Sequence, residues 1–264
     1  MSLLSRERYV AVLGASGVGL GQRQGGDTLW LGSVGFIDEG FMAWTVALET
    51  LDRLLGEHAR AGAELTVVVS GHFSRFCLVP WSEQISSPDE LRGFAQLCFE
   101  DLYGVPTQPW SLVLSAEPAG YDRIATALPQ DLLDRLRTLV SGRGLRLRSV
   151  QPYLMAAFNH FDKSFDAGDF LFVVAEPVRS VMLLAREGRW TAVRSVGSSD
   201  SDAALTALDV SSRSLTHCQS RAIRPLETVC YDGQTLPFDD ASFDVVTAIC
   251  VMHHVPPQHW QGLV

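Results

Sequence analysis

The residues best suited to chemistry lie in a short stretch near the end of the sequence, YDGQTLPFDDASFDVV at positions 231–246. The pair Asp232-Gly233 follows a strand-like segment, and an apolar LPF turn, an acidic turn and a second buried strand come next. An acidic residue at the end of a strand is a common contact for a nucleotide-type ligand. This order of features therefore predicts part of a nucleotide-type binding domain.

A second candidate for phosphate chemistry is the glycine-rich stretch VAVLGASGVGLG at positions 10–21. A dinucleotide-binding fingerprint needs the spacing G-x-G-x-x-G before a helix, and counting from either Gly17 or Gly19 the third glycine is missing. No Lys-Ser/Thr pair follows Gly19 as a P-loop requires, and Val18 stands where a nucleophile elbow at Ser16 needs glycine. The stretch predicts a hairpin turn, with a phosphate-facing turn as the alternative.

A cysteine and three histidines close to the end of the sequence raise the question of a metal site. They are spaced C-x-x-H-H-x4-H, which matches none of the usual zinc patterns: Cys250, His253, His254 and His259. We therefore predict that the chain holds no metal here. Two interpretations remain open for His254: a position beside the substrate, or a turn at the end of a strand.

Composition excludes some classes of protein. The 264 residues carry a net charge of −9 and are 47% hydrophobic, which is typical of a globular protein, and lysines and arginines form no runs. A nucleic-acid-binding surface is therefore not expected. The Arg-rich stretch GRGLRLRSV at 142–150 predicts a solvated strand or loop, with a contact to acidic partners as the alternative.

No apolar run is long enough to span a membrane as a helix. The longest, at 170–185, is interrupted by Glu176, Pro177 and Arg179. The five cysteines show no CxxC spacing, which is typical of buried thiols in a reducing compartment. The expected location is the cytoplasm, without a direct membrane span.

Hydrophobic periodicity indicates a mixed α/β chain. A helix is predicted over 39–62, because apolar residues recur at helical spacing and Gly62 provides a stop, and a second helix over 86–104 opens with Ser87 and Pro88. The remaining predicted elements are strands near 8–14, 17–24, 28–36, 63–71, 72–81, 110–118, 123–129, 170–177, 179–188 and 189–197, and helices near 130–144 and 153–161.

The order of these elements and several short phrases resemble the actin-like proteins of pilus assembly and type II secretion, the pilus M-like and secretion L-like families. The phrases are LLSRERYVAVLGASGVGLGQRQGG (3–26), VVVSGHFSRFCLVPWSE (67–83), FEDLYG (99–104) and SVQPYLMAAFN (149–159). The resemblance covers residues 3–200. It implies a ribonuclease-H-like, actin-like subdomain at 1–165 and the first strands of a second, truncated subdomain with a linker at 166–204.

Members of these families commonly act as scaffolds that grip an inner-membrane secretion or pilus component, and some bind ATP. The usual nucleotide loops are not evident here, because Leu13-Gly14 lacks a DxG-type acidic phosphate turn. The resemblance therefore implies a scaffold without nucleotide turnover.

The C-terminal segment resembles a different family, the class I S-adenosylmethionine-dependent methyltransferases of the small-molecule type. The resemblance rests on LDVSSRSLTHCQSRA (208–222) and on 229–255 with its LPF…SFD signature. It implies a partial, Rossmann-like methyltransferase domain at 205–264 with S-adenosyl-L-methionine as the cofactor. The methyl acceptor, a small molecule, and the catalytic residues are not assigned.

The methyltransferase resemblance implies cofactor contacts at two strand ends and at the far end of a buried strand. A carboxylate at Asp209 suits both ribose hydroxyls, and Asp232 suits the adenine amino group. The implied cofactor-binding residues are Asp209, Val210, Asp232, Gly233, Gln234 and Cys250.

One part of the methyltransferase pattern is missing from the sequence. Its first strand and glycine-rich loop should precede Asp209, but positions 186–205 read REGRWTAVRSVGSSDSDAAL, without a strand–GxG–helix order. We therefore expect an incomplete methyltransferase-like protein whose methyl transfer is weak or absent. The alternative is a non-enzymatic actin-like scaffold of a pilus-assembly or type II secretion system.

Overall fold

The computed structural model describes residues 7–36, 44–106, 108–161, 168–176, 179–197, 205–209, 212, 213, 215, 216, 226–232, 237 and 238. They belong to two compact units, Met1–Gly197 and Ser198–Val264, which we call the larger and the smaller unit. The described residues of the larger unit form helices and strands, and those of the smaller unit include a pair of strands.

The first sheet of the larger unit is mixed. Its strands are β1 (Arg8–Leu13), β2 (Gly17–Gln24), β3 (Asp27–Gly35), β4 (Glu64–Val69) and β8 (Arg146–Pro152), in the order β3-β2-β1-β4-β8. The first three are joined by antiparallel hairpins, whereas β4 runs parallel to both β1 and β8. At the first hairpin the N–H of Gly14 donates to the carbonyl of Gly17 at 2.8 Å. The predicted glycine-rich hairpin turn is therefore confirmed.

Helices α1 (Trp44–His58) and α3 (Gln130–Gly142) supply the core on this first sheet. Each helix buries one face because its apolar residues recur three or four positions apart. In α1 the buried residues include Leu48, Leu51 and Leu55, and they join one cluster with Leu13 of β1 and with residues of β4 and α3. Burial of such side chains contributes about 1.5–3 kcal/mol each, so this cluster is a main source of stability in the larger unit.

A second, antiparallel sheet is inserted between β4 and β8. It contains β5 (Arg75–Val79), β6 (Trp110–Leu114) and β7 (Arg123–Pro129) in the order β5-β7-β6, and helix α2 (Pro88–Tyr103) belongs to the same insertion. The Oγ of Ser87 caps α2 by accepting from the N–H of Glu90 at 3.2 Å. The Glu90 carboxylate in turn accepts from the N–H of Ser86, so two free donors at the helix start are satisfied.

Both faces of β5 are buried, because successive side chains of a strand point to opposite faces. Phe76 and Leu78 join a cluster with residues of a third sheet, formed by strands within 170–197, whereas Cys77 and Val79 pack with α2. The inserted sheet is therefore a layer between two apolar clusters.

Helix α4 (Tyr153–Phe161) leads to a third sheet of three antiparallel strands, β9 (Phe170–Glu176), β10 (Arg179–Arg186) and β11 (Arg189–Gly197), with β10 in the centre. Val181 and Leu183 of β10 are completely buried with Leu154 of α4. Around them Phe158 makes edge contacts with Phe172 and Trp190. The three predicted strands over 170–197 are therefore confirmed.

The smaller unit contains β12 (Leu205–Asp209) and β13 (Leu226–Cys230) among its described residues. The two strands pair in parallel from Leu205 with Leu226 to Asp209 with Cys230. A parallel pair needs a crossover connection of a dozen or more residues, and positions 210–225 separate the two strands in the sequence. Parallel strands with a crossover connection are the unit from which Rossmann-like domains are built.

Candidate functional site

The parallel pair of the smaller unit brings two predicted cofactor-binding residues to one edge. Asp209 is the last residue of β12 and is in register with Cys230, the last residue of β13. Asp232 follows Cys230 by two positions and is exposed. Both aspartates therefore lie at the carboxyl ends of adjacent parallel strands, which is where ligands bind in open α/β sheets.

The other four predicted cofactor-binding residues lie outside the described residues: Val210, Gly233, Gln234 and Cys250. The same holds for His253, His254 and His259. Across the positions that the structure describes, no group of three or more His, Cys, Asp and Glu side chains is arranged to hold a metal ion.

The segment before β12 has a definite place in the larger unit. Residues 189–197, where the methyltransferase pattern calls for a first strand and its glycine-rich loop, form β11, the antiparallel partner of β10. Val193 of β11 is buried in the cluster of the third sheet. This segment therefore serves the larger unit as an edge strand of a meander.

The larger unit contains a half-buried polar cluster that the sequence analysis did not predict. It lies where β4 ends and where β9 ends. The N–H of Gly71 donates to the Oε1 of Glu176 at 2.7 Å, and the N–H of His72 donates to the Oγ of Ser70 at 3.0 Å. The Glu176 carboxyl also interacts with the Ser70 side chain. The one signal for this site in the sequence is a carboxylate that ends an otherwise apolar strand.

The charges of this polar cluster influence one another. Burial raises the pKa of Glu176, while hydrogen bonds from Ser70 and Gly71 and the charge of Arg179 act in the opposite direction. Burial, followed by the charges of Arg179 and Arg75, lowers the pKa of His72. The cluster therefore favours a neutral imidazole and a carboxyl group that ionises above its usual range.

Two arginines hold the cluster in place through backbone and hydroxyl oxygens. One amino group of Arg75 donates to the carbonyls of His72 and Ser74 at 3.1 and 3.0 Å, and one amino group of Arg179 donates to the Oγ of Ser195 at 3.0 Å. The Nε of Arg179 and the Nδ1 of His72 are buried and have no hydrogen-bond partner in the part of the chain that the structure describes. The arrangement joins the first sheet to the third sheet through polar contacts.

The family comparison concerns the C-terminal part of the chain. Residues 189–263 match the model of a family described as a methyltransferase domain. The predicted resemblance of the C-terminal segment is confirmed. A methyltransferase domain implies the use of S-adenosylmethionine in general. No curated protein matches the chain.

The structural comparison concerns most of the chain. The fold is similar to a structure of the PilM-PilN type IV pilus biogenesis complex, with a TM-score of 0.52 at 16% identity, covering 82% of this chain and 66% of that chain. A protein from Bacteroides thetaiotaomicron with an actin-like ATPase fold and unknown function gives a TM-score of 0.51 at 7% identity, covering 85% of this chain and 91% of that chain. The predicted actin-like fold is confirmed.

A third similar structure is the cytoplasmic domain of EpsL, an inner-membrane component of the type II secretion system of Vibrio cholerae. It has a TM-score of 0.49 at 10% identity and covers 93% of this chain and 91% of that chain. Among the described residues no helix is long and apolar enough to cross a membrane.

Proposed function

We propose that the smaller unit is a methyltransferase-like segment that binds the adenosine part of S-adenosylmethionine at the carboxyl ends of β12 and β13. The observation that carries this proposal is the parallel register that ends with Asp209 opposite Cys230, two residues before Asp232. In this arrangement one carboxylate accepts the ribose hydroxyls and the other meets the adenine amino group. Gly233 and Gln234 continue the adenine contact, Val210 follows the ribose contact, and Cys250 faces the cofactor.

The methionine end of the cofactor lacks its usual binding loop in this sequence. In the methyltransferase pattern a glycine-rich loop offers backbone N–H groups to the methionine carboxylate. Here the corresponding residues include β11, and the stretch SVGSSDSD at 195–202, which begins within the end of β11, contains a single glycine. We therefore propose binding that is weak and methyl transfer that is weak or absent.

When bound, S-adenosylmethionine supplies an activated methyl group. The contribution of the protein to such a reaction is positioning, because the acceptor atom must lie in line with the methyl group and its leaving sulfur. Asp209 and Asp232 fix the adenosine end, which sets the distance and direction of the methyl group. The acceptor is a small molecule that remains unassigned.

Calorimetric titration of the full chain with S-adenosylmethionine and S-adenosylhomocysteine tests this proposal. We expect weak binding that Asp209→Asn and Asp232→Asn each reduce, because a hydrogen bond to a charged group contributes about 1.5–3 kcal/mol. Asp101→Asn, an exposed position on α2, is the matched control and should leave the titration unchanged. No heat at millimolar ligand would overturn the proposal, and so would equal binding by all three variants.

The second candidate function is a non-enzymatic scaffold that holds a pilus or secretion component. The actin-like fold of most of the chain, with a similar structure from a PilM-PilN complex, favours it. Fold similarity alone suggests this partner class, so the proposal rests on analogy.

Production of residues 1–197 by themselves tests the scaffold proposal. The larger unit contains all three hydrophobic clusters, so we expect this fragment to remain monomeric and to unfold in one cooperative transition. Size-exclusion chromatography with light scattering and urea unfolding provide the measurements. A fragment that aggregates or unfolds without cooperativity would contradict an independent scaffold.

A further inference from the structure

Two cysteines of the larger unit, Cys77 and Cys98, lie in the same small apolar cluster between a strand and a helix. Cys77 lies in the middle of β5, paired with Ala125 of β7, and its side chain belongs to the cluster under α2. Cys98 lies on the face of α2 that packs against this cluster, one turn after Ala95 and next to Phe99. The alternation of β5 and the helical period of α2 therefore direct both thiols into the same layer.

The two thiols influence each other. The Cys77 thiol donates to the carbonyl of Leu78 at 3.4 Å, and the neighbouring Cys98 side chain contributes to the raised pKa of Cys77. Cys77 is 3% exposed, whereas Cys98 is only half-buried. A reagent from solution therefore reaches Cys98 before it reaches Cys77.

The surroundings keep both groups in the thiol form. Burial raises the pKa of Cys77 to about 12. Burial, with a further contribution from the charge of Asp101, also raises the pKa of Cys98. Because the thiolate is the reacting species, the pair resists weak oxidants at neutral pH and reacts faster as the pH rises.

We propose that Cys77 and Cys98 form an intramolecular disulfide when the protein meets a peroxide, so that β5 becomes covalently linked to α2. The Cys98 thiolate attacks one oxygen of hydrogen peroxide, the O–O bond breaks, and the released hydroxide takes up a proton to become water. Cys77 then loses its proton and attacks the sulfur of the sulfenic acid on Cys98, and the second oxygen leaves as water. Two thiols lose two electrons and two protons, and one peroxide becomes two waters.

The link would hold the inserted sheet and its helix together. Helix α2 packs on β5 through small and aromatic side chains such as Ala95 and Phe99, and its start and end are joined to the sheet by loops. A bridge between Cys77 and Cys98 closes the segment of chain between these two residues into a loop. This restricts the unfolded chain and so stabilises the folded form. Oxidation therefore ties α2 covalently to β5.

The test is oxidation of the full-length protein with hydrogen peroxide at low protein concentration, followed by trypsin digestion and mass spectrometry without reduction. We expect the chain to lose two of its five thiols and to yield a cross-linked peptide pair containing Cys77 and Cys98. The reaction should accelerate by about tenfold per pH unit, since the thiolate is limiting. Dithiothreitol should restore both thiols.

Substitutions decide between this pair and the other cysteines. Cys98→Ala should abolish the cross-linked peptide, whereas Cys230→Ser, at an exposed position, should leave it unchanged. The peptide map of the unsubstituted protein gives the answer even if a variant fails to fold. Sulfinic acid on Cys98 without a cross-link, bridges that join only other cysteines, or no loss of thiols would each overturn the proposal.

Discussion

The Oε1 of Glu176 accepts a hydrogen bond from the backbone N–H of Gly71 at 2.7 Å, across 105 positions of sequence. Gly71 follows the end of β4 in the first sheet, and Glu176 is the last residue of β9 in the third sheet. One side chain therefore joins the first and third sheets of the larger unit at a backbone donor that nothing else in the described structure satisfies.

Removal of the Glu176 carboxyl should destabilise the larger unit. Glu176→Ala leaves the buried N–H of Gly71 without an acceptor, and such an unmet donor costs about 1–3 kcal/mol. Urea unfolding of the full chain followed by tryptophan fluorescence measures the loss. Glu83→Ala, an exposed control, should change the free energy of unfolding by less than about 0.5 kcal/mol. Equal effects of the two substitutions would show that the hydrogen bond is unimportant.

The same carboxyl should make stability depend on pH. Burial raises the pKa of Glu176 in the folded protein above its ordinary value of 4.5, so the folded state holds the proton more tightly than the unfolded state. The contribution of the protonated Glu176 carboxyl to the free energy of unfolding is complete below pH 4.5, and it is lost as the pH rises through the raised pKa.

Glu176→Gln isolates this effect, because an amide keeps an acceptor for Gly71 but does not titrate. We expect the difference in unfolding free energy between wild type and Glu176→Gln to move in favour of the variant as the pH rises from 4 towards neutrality. The His72 imidazole is present in both proteins, so its own titration largely cancels in the difference. A difference that stays constant over this range would contradict the raised pKa.

A methyl group at position 71 should be poorly tolerated. The Cβ of alanine there would lie 2.8 Å from the Cγ2 of Val181 and 2.9 Å from the Oε1 of Glu176. We expect Gly71→Ala to cost about 1–3 kcal/mol, since overpacking forces neighbouring atoms apart. Gly93→Ala is the control, because this exposed helical glycine has no atom within 4 Å of an added Cβ. It should stabilise the protein by about 0.5–1 kcal/mol. Thermal unfolding of both variants measures the contrast, and a loss of stability in both would contradict it.

Local patterns were sufficient to predict the individual helices and strands. The helical stripe over 39–62 predicts the buried residues Trp44, Leu51 and Leu55 of α1, and its first member, Phe41, lies outside the described residues. Ser87 was expected at the start of α2 and is its cap. These features depend on neighbours within one or two turns, so the sequence contains them directly.

The arrangement of the sheets could not be predicted in the same way. Residues 76–79 of β5 are all apolar, which indicates a strand buried on both faces but not which strand it pairs with. The separate β5-β7-β6 sheet is set by contacts between distant segments. The bond between Gly71 and Glu176 has the same origin, and so has the proximity of Cys77 to Cys98. Such features appear only when the chain is folded.

The candidate cofactor site also combines features that the sequence predicts with features that only the fold shows. A family pattern in the sequence is sufficient to nominate Asp209 and Asp232, but their common edge depends on the register of β12 with β13. The glycine-rich loop is absent from the sequence itself. The structure adds that β11 belongs to the third sheet, where it pairs antiparallel with β10 and buries Val193 in the same apolar cluster.

A bidentate salt bridge should stabilise the contact between α1 and the end of α3. The Nε and one amino group of Arg143 donate to the two carboxylate oxygens of Asp52, both at 2.7 Å. The hydrogen bond from Arg143 lowers the pKa of Asp52 below its ordinary 3.8. The bridge therefore stabilises the fold above pH 3.8, and this contribution is lost as the pH falls through the lowered value.

Asp52→Asn should lower the urea midpoint slightly at pH 7 and by less near pH 2.5, because the wild-type carboxyl takes up protons as the pH falls towards its lowered pKa. The effect should be small because the Asp52 side chain is 44% exposed and water screens the pair. Asp134→Asn removes a single-contact pair with Arg137 on one exposed helix face and should have no measurable effect at either pH. Urea titrations of both variants at the two pH values decide the question. A loss of stability by Asp52→Asn that is equal at both pH values would show that packing, and not the charge of Asp52, is responsible.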